Sequence, residues 1–256
     1  MGESGCGKST LVAATLGAVP RAAGTIQLFG QPIGKRPRPE QVQTIFQNVD
    51  AHIDPAWTAD ALLAETAHRF GRTPAQVTAV LERVGLTHRR SLPTRRLSGG
   101  ERRRLGVARI LLVEAPLVLA DEPCAGVDAG RRHDLVRAIR EHQPSHGALL
   151  LVSHDLRLVQ TTCDRVAVML GGRIVETCPA PLLGQVDHHP YTDTLLRAAG
   201  LRPGDVPPHH ARPGPGCPLV DSCTHATAPC RHAPPALQPV SAPGHQLACP
   251  HPVSPT

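Results

Sequence analysis

The sequence predicts an α/β fold with a helical subdomain and a proline- and cysteine-rich C-terminal extension. Three observations predict it. Gly2-Glu3-Ser4-Gly5-Cys6-Gly7-Lys8-Ser9-Thr10 is a glycine-rich turn that runs straight into a helix-forming stretch, Thr10 to Ala18. Leu117 to Ala120 is a short apolar run ending in Asp121-Glu122, the pattern of a buried parallel strand with acids at its C-terminal tip. Between them, Leu97-Ser98-Gly99-Gly100-Glu101 sets a hydroxyl and two glycines just before a basic amphipathic helix.

Each of these has a phosphate chemistry. Gly2 to Thr10 fits G-x-x-x-x-G-K-[ST], in which successive N–H groups wrap phosphates, the lysine reaches the β- and γ-phosphates and the hydroxyl ligates Mg²⁺. Lys8 and Ser9 take those places, and the chain has only one other lysine, Lys35. Ser98-Gly99-Gly100 offers a close backbone approach at a helix start, which is an anion site. At the tip of the Leu117 strand one acid can hold Mg²⁺ through water and its neighbour can orient an attacking water.

In order along the chain, Gly24 to Gly30 alternates between glycines and reads as a strand. Gly34 to Glu40 is a proline-rich loop, and Val42 to Phe46 is a strand with Gln47 at its end, a candidate for Mg²⁺ or the attacking water. From Trp57 to about Gly85 the apolar residues recur at helical spacing, with a second helix starting at Pro74. Leu92 to Arg96 is a linker, and Arg102 to Val113, Arg131 to Glu141 and Asp155 to Cys163 are helices. Ala148 to Val152 is a strand with His154 just past its tip, where an imidazole can donate to a γ-phosphate. Val166 to Leu170 and Arg173 to Val175 form a hairpin across Gly171-Gly172.

Composition bounds the rest. The 256 residues can bury one core and carry an appendage. With no long apolar run, and a glycine loop already at the N-terminus, neither a transmembrane helix nor a signal peptide is expected. The expected compartment is the cytoplasm, where eight cysteines are thiols or metal ligands rather than disulfides. The net charge of +6 is nearly all arginine and is spread along the chain, and the aromatic content is 2%. Stacking platforms are scarce, so nucleic acid is not an expected partner. After Ala180 the composition changes: the last 56 residues hold 14 of the 27 prolines. They also hold Cys217, Cys223, Cys230 and Cys249, four cysteines that suit a metal staple, either Zn²⁺ or an iron–sulfur cluster.

Taken together and in this order, the Walker A loop (Gly2, Ser4, Gly5, Cys6, Gly7, Lys8, Ser9, Thr10), Gln47, the signature Leu97–Glu101, the Walker B strand with Asp121 and Glu122, the loop ending in Asp128, and His154 resemble the ATP-binding subunit of an ABC transporter. His189-Pro190-Tyr191-Thr192 and the cysteine series resemble the C-terminal segment of the dipeptide/oligopeptide (and nickel) importer subgroup. Two positions depart from the pattern: Glu101 stands where glutamine is usual, and Ala125-Gly126-Val127-Asp128 where Ala-Leu-Asp is usual. Only Met1 precedes Gly2, so the strand from which such a loop hangs is expected to be missing by N-terminal truncation.

The resemblance implies a P-loop NTPase (RecA-like) core over residues 1–180, a helical subdomain at about 55–110, and an extension over 181–256. It implies ATP and Mg²⁺ as cofactors, with a [4Fe-4S] cluster rather than Zn²⁺ on Cys217, Cys223, Cys230 and Cys249. Lys8, Ser9 and the loop amides would hold ATP; Ser98 and Gly100 would close on the γ-phosphate across a head-to-tail dimer, and Gly99 and Asp128 would also be nucleotide-binding. Ser9, Gln47 and Asp121 would serve Mg²⁺, Glu122 would be the general base and His154 the γ-phosphate sensor. The implied partners are membrane permease subunits, a second ABC ATPase subunit and, indirectly, an extracellular solute-binding protein, at the cytoplasmic face of the membrane. Two rival readings stay open here: a soluble ABC ATPase outside transport, and an inactive nucleotide-binding fragment.

Overall fold

The structure, a computed structural model, describes residues 1–33, 37–46, 53–212 and 214–255. They fall into two compact units, residues 12–152 and residues 1–11 with 153–256. The first helix, α1 (Lys8–Thr15), starts in one unit and ends in the other.

In the 12–152 unit, three parallel strands lie in the order β3 (Val42–Ile45), β4 (Leu117–Asp121), β5 (Ala148–Val152). β4 is central and buried from Val118 onward, because both of its neighbours and the packed side chains cover it. Val12, Val42, Leu119 and Val152 form a buried cluster on this sheet. The expected strand over Gly24–Gly30 is a hairpin instead: β1 (Gln27–Leu28) pairs antiparallel with β2 (Gln31–Pro32). The reversal is at Phe29 and Gly30, with φ of 51° and 72°. Two consecutive left-handed residues make a tight turn, which the alternation of side chains did not foretell.

Three helices of this unit pack on one another. α2 (Ala59–Arg69) is capped by Thr58, and α3 (Pro74–Arg83) by Thr73 in a reciprocal box with Gln76. α4 (Gly99–Val113) starts three residues earlier than the periodicity of its side chains predicts, because Ser98 and Glu101 close a capping box around its first turn. Leu63, Leu81, Leu105 and Leu112 are buried among these helices. Arg72 closes the far end of α4, donating to Val113 O at 2.7 Å and pairing with Glu114 at 2.9 Å. α5 (Ala129–His142) joins β4 to β5.

In the other unit, β6 (Arg165–Leu170) and β7 (Arg173–Pro179) form the expected hairpin. The C-terminal segment adds two short strands to it, β8 (Gln238–Pro239) and β9 (Gln246–Leu247), in the order β6-β7-β9-β8. α6 (Leu156–Thr162), α7 (Pro190–Ala198) and α8 (Ala228–His232) complete it. No helix of the described residues is long and apolar enough to cross a membrane.

A buried carboxylate holds this segment in place. Glu176 on β7 has no exposed surface. Its Oε1 accepts from His188 Nδ1 at 2.5 Å and from His245 Nε2 at 3.1 Å, and its Oε2 accepts from His189 N–H at 2.9 Å. Gly184 N–H donates to His188 Nε2 at 2.9 Å, which puts the His188 proton on Nδ1, facing the carboxylate. Glu176, His188 and His245 offer three atoms within 4.8 Å of one another. The proton on His188 Nδ1 makes them a hydrogen-bonded triad rather than a metal site.

Burial pushes the Glu176 carboxyl up, but the hydrogen bonds from His188 and His245 outweigh it and bring it down to about 2 from 4.5. A lowered folded value stabilises above the unfolded one, and that stability is lost as pH falls from 4.5 toward 2. Glu176→Gln is therefore expected to lose about 3 kcal/mol at pH 7 and most of this acid dependence, as read by urea unfolding at stepped pH.

Candidate functional site

The glycine-rich loop is shaped by its own backbone. Gly5 and Gly7 have φ of 82° and 104°, a region side chains other than glycine rarely adopt. A Cβ on Gly2 would overlap the carbonyl oxygen of Met169. Met1 O accepts from Met169 N–H at 2.7 Å, and the Met1 amino group donates to Ala167 O at 2.7 Å, so the entry to the loop is bonded to β6. Gly172 N–H donates to Cys6 O at 3.1 Å, tying the loop to the β6–β7 turn. Cys6 is buried; Ser4, Gly5, Ser9 and Thr10 are exposed. Lys8 Nζ donates to Gly2 O at 2.7 Å and Glu3 O at 2.6 Å, which folds its charge back over the loop. α1 starts at Lys8, so its free N–H groups face the same turn.

The loop has a second anchor that the sequence did not reveal. Tyr191 on α7 has no exposed surface, and its hydroxyl oxygen accepts from Glu3 N–H at 2.7 Å. Burial pushes its phenol up to about 12, so it stays protonated. The Tyr191 ring meets His209 edge-on at 5.2 Å between centroids, and His209 Nε2 lies 3.7 Å from Glu3 Oε2. His154 lies in this unit, exposed, two residues beyond β5.

In the 12–152 unit, Ser98 caps α4: its hydroxyl accepts from Glu101 N–H at 3.2 Å, and Glu101 Oε2 accepts from Ser98 N–H at 2.7 Å. The bond to the Ser98 backbone, with Arg89 at 3.0 Å from Oε1, holds the Glu101 carboxyl below its ordinary value despite partial burial. Ser98 and Gly99 are exposed at the helix start. A Cβ on Gly100 would lie 2.9 Å from Gly126 O, so the signature turn and the loop before Asp128 are packed backbone to backbone. Asp128 is exposed at the start of α5, with no hydrogen bond from its side chain to that helix.

Asp121 ends β4 and is buried; Glu122 follows with φ of 50°. Glu122 N–H donates to Val152 O at 3.0 Å, extending the β4–β5 ladder by one bond, and Arg103 Nη1 donates to Glu122 O at 2.5 Å. This left-handed residue turns the chain sharply just after the strand, and an arginine from α4 fastens the turn. Gln47 lies outside the described residues.

The four cysteines of the extension line one cavity in the 1–11/153–256 unit, together with His189 and His251. Three sulfurs meet the N–H two residues on: Cys217 that of Leu219, Cys223 that of His225, and Cys249 that of His251, the last at 3.4 Å. Cys230 meets the Thr227 hydroxyl at 3.4 Å. Burial pushes the Cys249 thiol up to about 11 and raises Cys217 and Cys223, while the Thr227 hydroxyl lowers Cys230.

A glycine loop opening a helix, and a parallel strand that ends in two acids, together define a P-loop nucleoside triphosphatase. The model of the ABC transporter family matches residues 1–125. A peptide import ATP-binding protein of Brucella abortus (strain 2308) is 33% identical over 273 residues, covering 97% of this chain and 80% of its own. Oligopeptide transport ATP-binding protein OppF of Bacillus subtilis (strain 168) is 33% identical over 228 residues, 83% of this chain and 74% of its own. An ATP-binding subunit of an ABC transporter has a similar fold, with a TM-score of 0.61 at 24% identity over 80% of this chain and 82% of that one. A bacterial Atm1-family ABC exporter with ATP bound gives 0.62 at 24% identity, over 77% of this chain and 36% of that one. The chain belongs to the ABC transporter family, as one of its ATPase subunits, with ATP and Mg²⁺ as cofactors.

Tyr191→Phe removes the acceptor of Glu3 N–H. It is expected to cost about 1 kcal/mol in chemical unfolding and to weaken binding of a fluorescent ATP analogue several-fold. Unchanged affinity would show that the loop holds its shape without this bond.

Proposed function

We propose that this chain hydrolyses ATP to power an importer of di- or oligopeptides or a related solute. The observation that carries the reading is the 33% identity, over 97% of this chain, to a protein named for peptide import. Its partners would be integral-membrane permease subunits, a second ABC ATPase subunit, identical or paralogous, and indirectly an extracellular solute-binding protein. The working place would be the cytoplasmic face of the membrane, with the chain attached peripherally. We also propose an ATPase domain over residues 1–180, with its helical subdomain at about 55–110, and an extension over 181–256.

When bound, ATP supplies the phosphoryl group and Mg²⁺ neutralises its charge. Around it, the residues would divide the work as follows. The amides of Gly2, Ser4, Gly5, Cys6, Gly7 and Thr10 cradle the phosphates, and the Lys8 ammonium moves from the carbonyls of Gly2 and Glu3 to the γ-phosphate. Ser9, Gln47 and Asp121 serve Mg²⁺, Asp121 through water. Glu122 takes the proton of the attacking water, and His154 donates to the γ-phosphate. Ser98, Gly99 and Gly100 would present helix-start N–H groups to the nucleotide of the partner subunit, and Asp128 follows the Gly126 turn that packs against Gly100. Gln47 reports the nucleotide state to the permease.

Cys217, Cys223, Cys230 and Cys249 are proposed to hold a [4Fe-4S] cluster. Their shared cavity and the donors facing every sulfur support this, because such donors stabilise ligating thiolates.

Glu122→Gln is expected to keep ATP binding and to lower turnover by about 10²–10⁴-fold, measured as phosphate release by chain reconstituted with its permeases. Full turnover would remove Glu122 as the base. Peptide-stimulated phosphate release in the same preparation tests the importer reading, and its absence with all permeases present would overturn that reading.

A further inference from the structure

One polar atom of a residue that lines the cysteine cavity has no partner among the described residues. His189 is the N-cap of α7, and its Nδ1 accepts from Tyr191 N–H at 3.1 Å. A nitrogen that accepts carries no proton, so the ring proton is on Nε2. The ring is 1% exposed, and Nε2 has no hydrogen-bond partner among the described residues. An orphaned buried donor costs about 1–3 kcal/mol, so its persistence calls for an acceptor. The ring lines the same cavity as Cys217, Cys223, Cys230 and Cys249, whose sulfurs can accept. Each cysteine already has its own local donor, from a backbone N–H two residues on or from Thr227. His189 is the donor that comes from another part of the chain.

We propose that His189 Nε2–H donates a hydrogen bond to a sulfur of the iron–sulfur centre on these four cysteines, and so raises its reduction potential. This rests on the cluster reading above. The reduced cluster carries more negative charge on its sulfurs than the oxidised one, so an N–H aimed at sulfur favours reduction. His189 is a tuning residue and not a ligand, because the nitrogen that would face the metal is the protonated one.

The test compares the full chain, purified without oxygen, as wild type, His189→Asn and His189→Gln. Asparagine places an acceptor where Nδ1 is, keeping the α7 cap, but has no donor at the Nε2 position. Glutamine reaches the Nε2 position with its own N–H. Iron and acid-labile sulfide per chain are measured first, then the cluster is titrated with dithionite and followed by its visible absorption. His189→Asn is expected to keep full iron and sulfide while its reduced form becomes roughly tenfold less favoured, a shift of about 59 mV to lower potential for a one-electron couple. His189→Gln is expected to stay close to wild type.

An unshifted midpoint in His189→Asn, with full iron, would overturn the proposal. So would loss of iron from both variants, which would make His189 a ligand. A wild-type chain without iron and sulfide, or colourless with one zinc, would instead remove the cluster reading on which the proposal stands.

Discussion

A carboxylate with no water around it must be surrounded by donors, and much of the chain beyond residue 153 is arranged to surround Glu176. The strand that carries it, β7, receives the hydrogen bonds of β9 on one side and of β6 on the other. The carboxylate itself gathers His188, the backbone of His189, and His245 from a point 69 residues away. None of these groups could be buried alone without a large desolvation cost; together they satisfy one another. This is how a proline-rich segment with little apolar periodicity becomes ordered. It spreads a buried polar network over a hairpin that the ATPase fold already supplies. Asp193 repeats the device on a smaller scale, pairing with Arg202 and Arg197 at 2.7 Å each.

What the sequence made legible was local. The Walker A loop, the start of α4 and the acid pair at the end of β4 each announce themselves through residues within about four positions, by glycine conformation, capping or strand pattern, although distant residues then fasten the loop and the turn at Glu122. Glu101 illustrates this well. It departs from the usual glutamine of the signature, yet its carboxylate does what a capping residue at that position must do, and pairs with Arg89 as well. The departure therefore leaves the signature turn intact. The hairpin at Gln27–Pro32 was misread as one strand because its turn needs left-handed φ at Phe29, which phenylalanine does not advertise.

The long-range contacts were not legible. His189-Pro190-Tyr191-Thr192 marks a subgroup of the family, but no pattern in it says that Tyr191 reaches the phosphate loop, 188 positions back along the chain. Nor does the spacing of the cysteines, with five, six and 18 residues between them, say which way their sulfurs face. The composition located the cysteines, and only the fold brought His189 to the cavity that they line. Glu176 was hidden for the same reason: a glutamate within a strand reads as a solvated position until its partners are known.

His189 and Tyr191 sit on the same first turn of α7, and this has a mechanical consequence. The imidazole that borders the cysteine cavity accepts the N–H of Tyr191, and the Tyr191 hydroxyl accepts the N–H of Glu3 in the glycine loop. Two hydrogen bonds and one buried ring therefore connect the cavity to the loop's backbone. Such a path can carry a change only if some element along it has two arrangements. The loop supplies one: Lys8 here rests on the carbonyls of Gly2 and Glu3, and it would leave them when a phosphate takes their place. Glu3 is the residue at which both constraints meet, its carbonyl held by lysine and its N–H by tyrosine. The extension is in this sense part of the nucleotide loop's scaffold: its buried leucines, Leu183, Leu196, Leu219 and Leu247, hold it together, and its buried hydrogen bonds, whose directions are fixed, set its register.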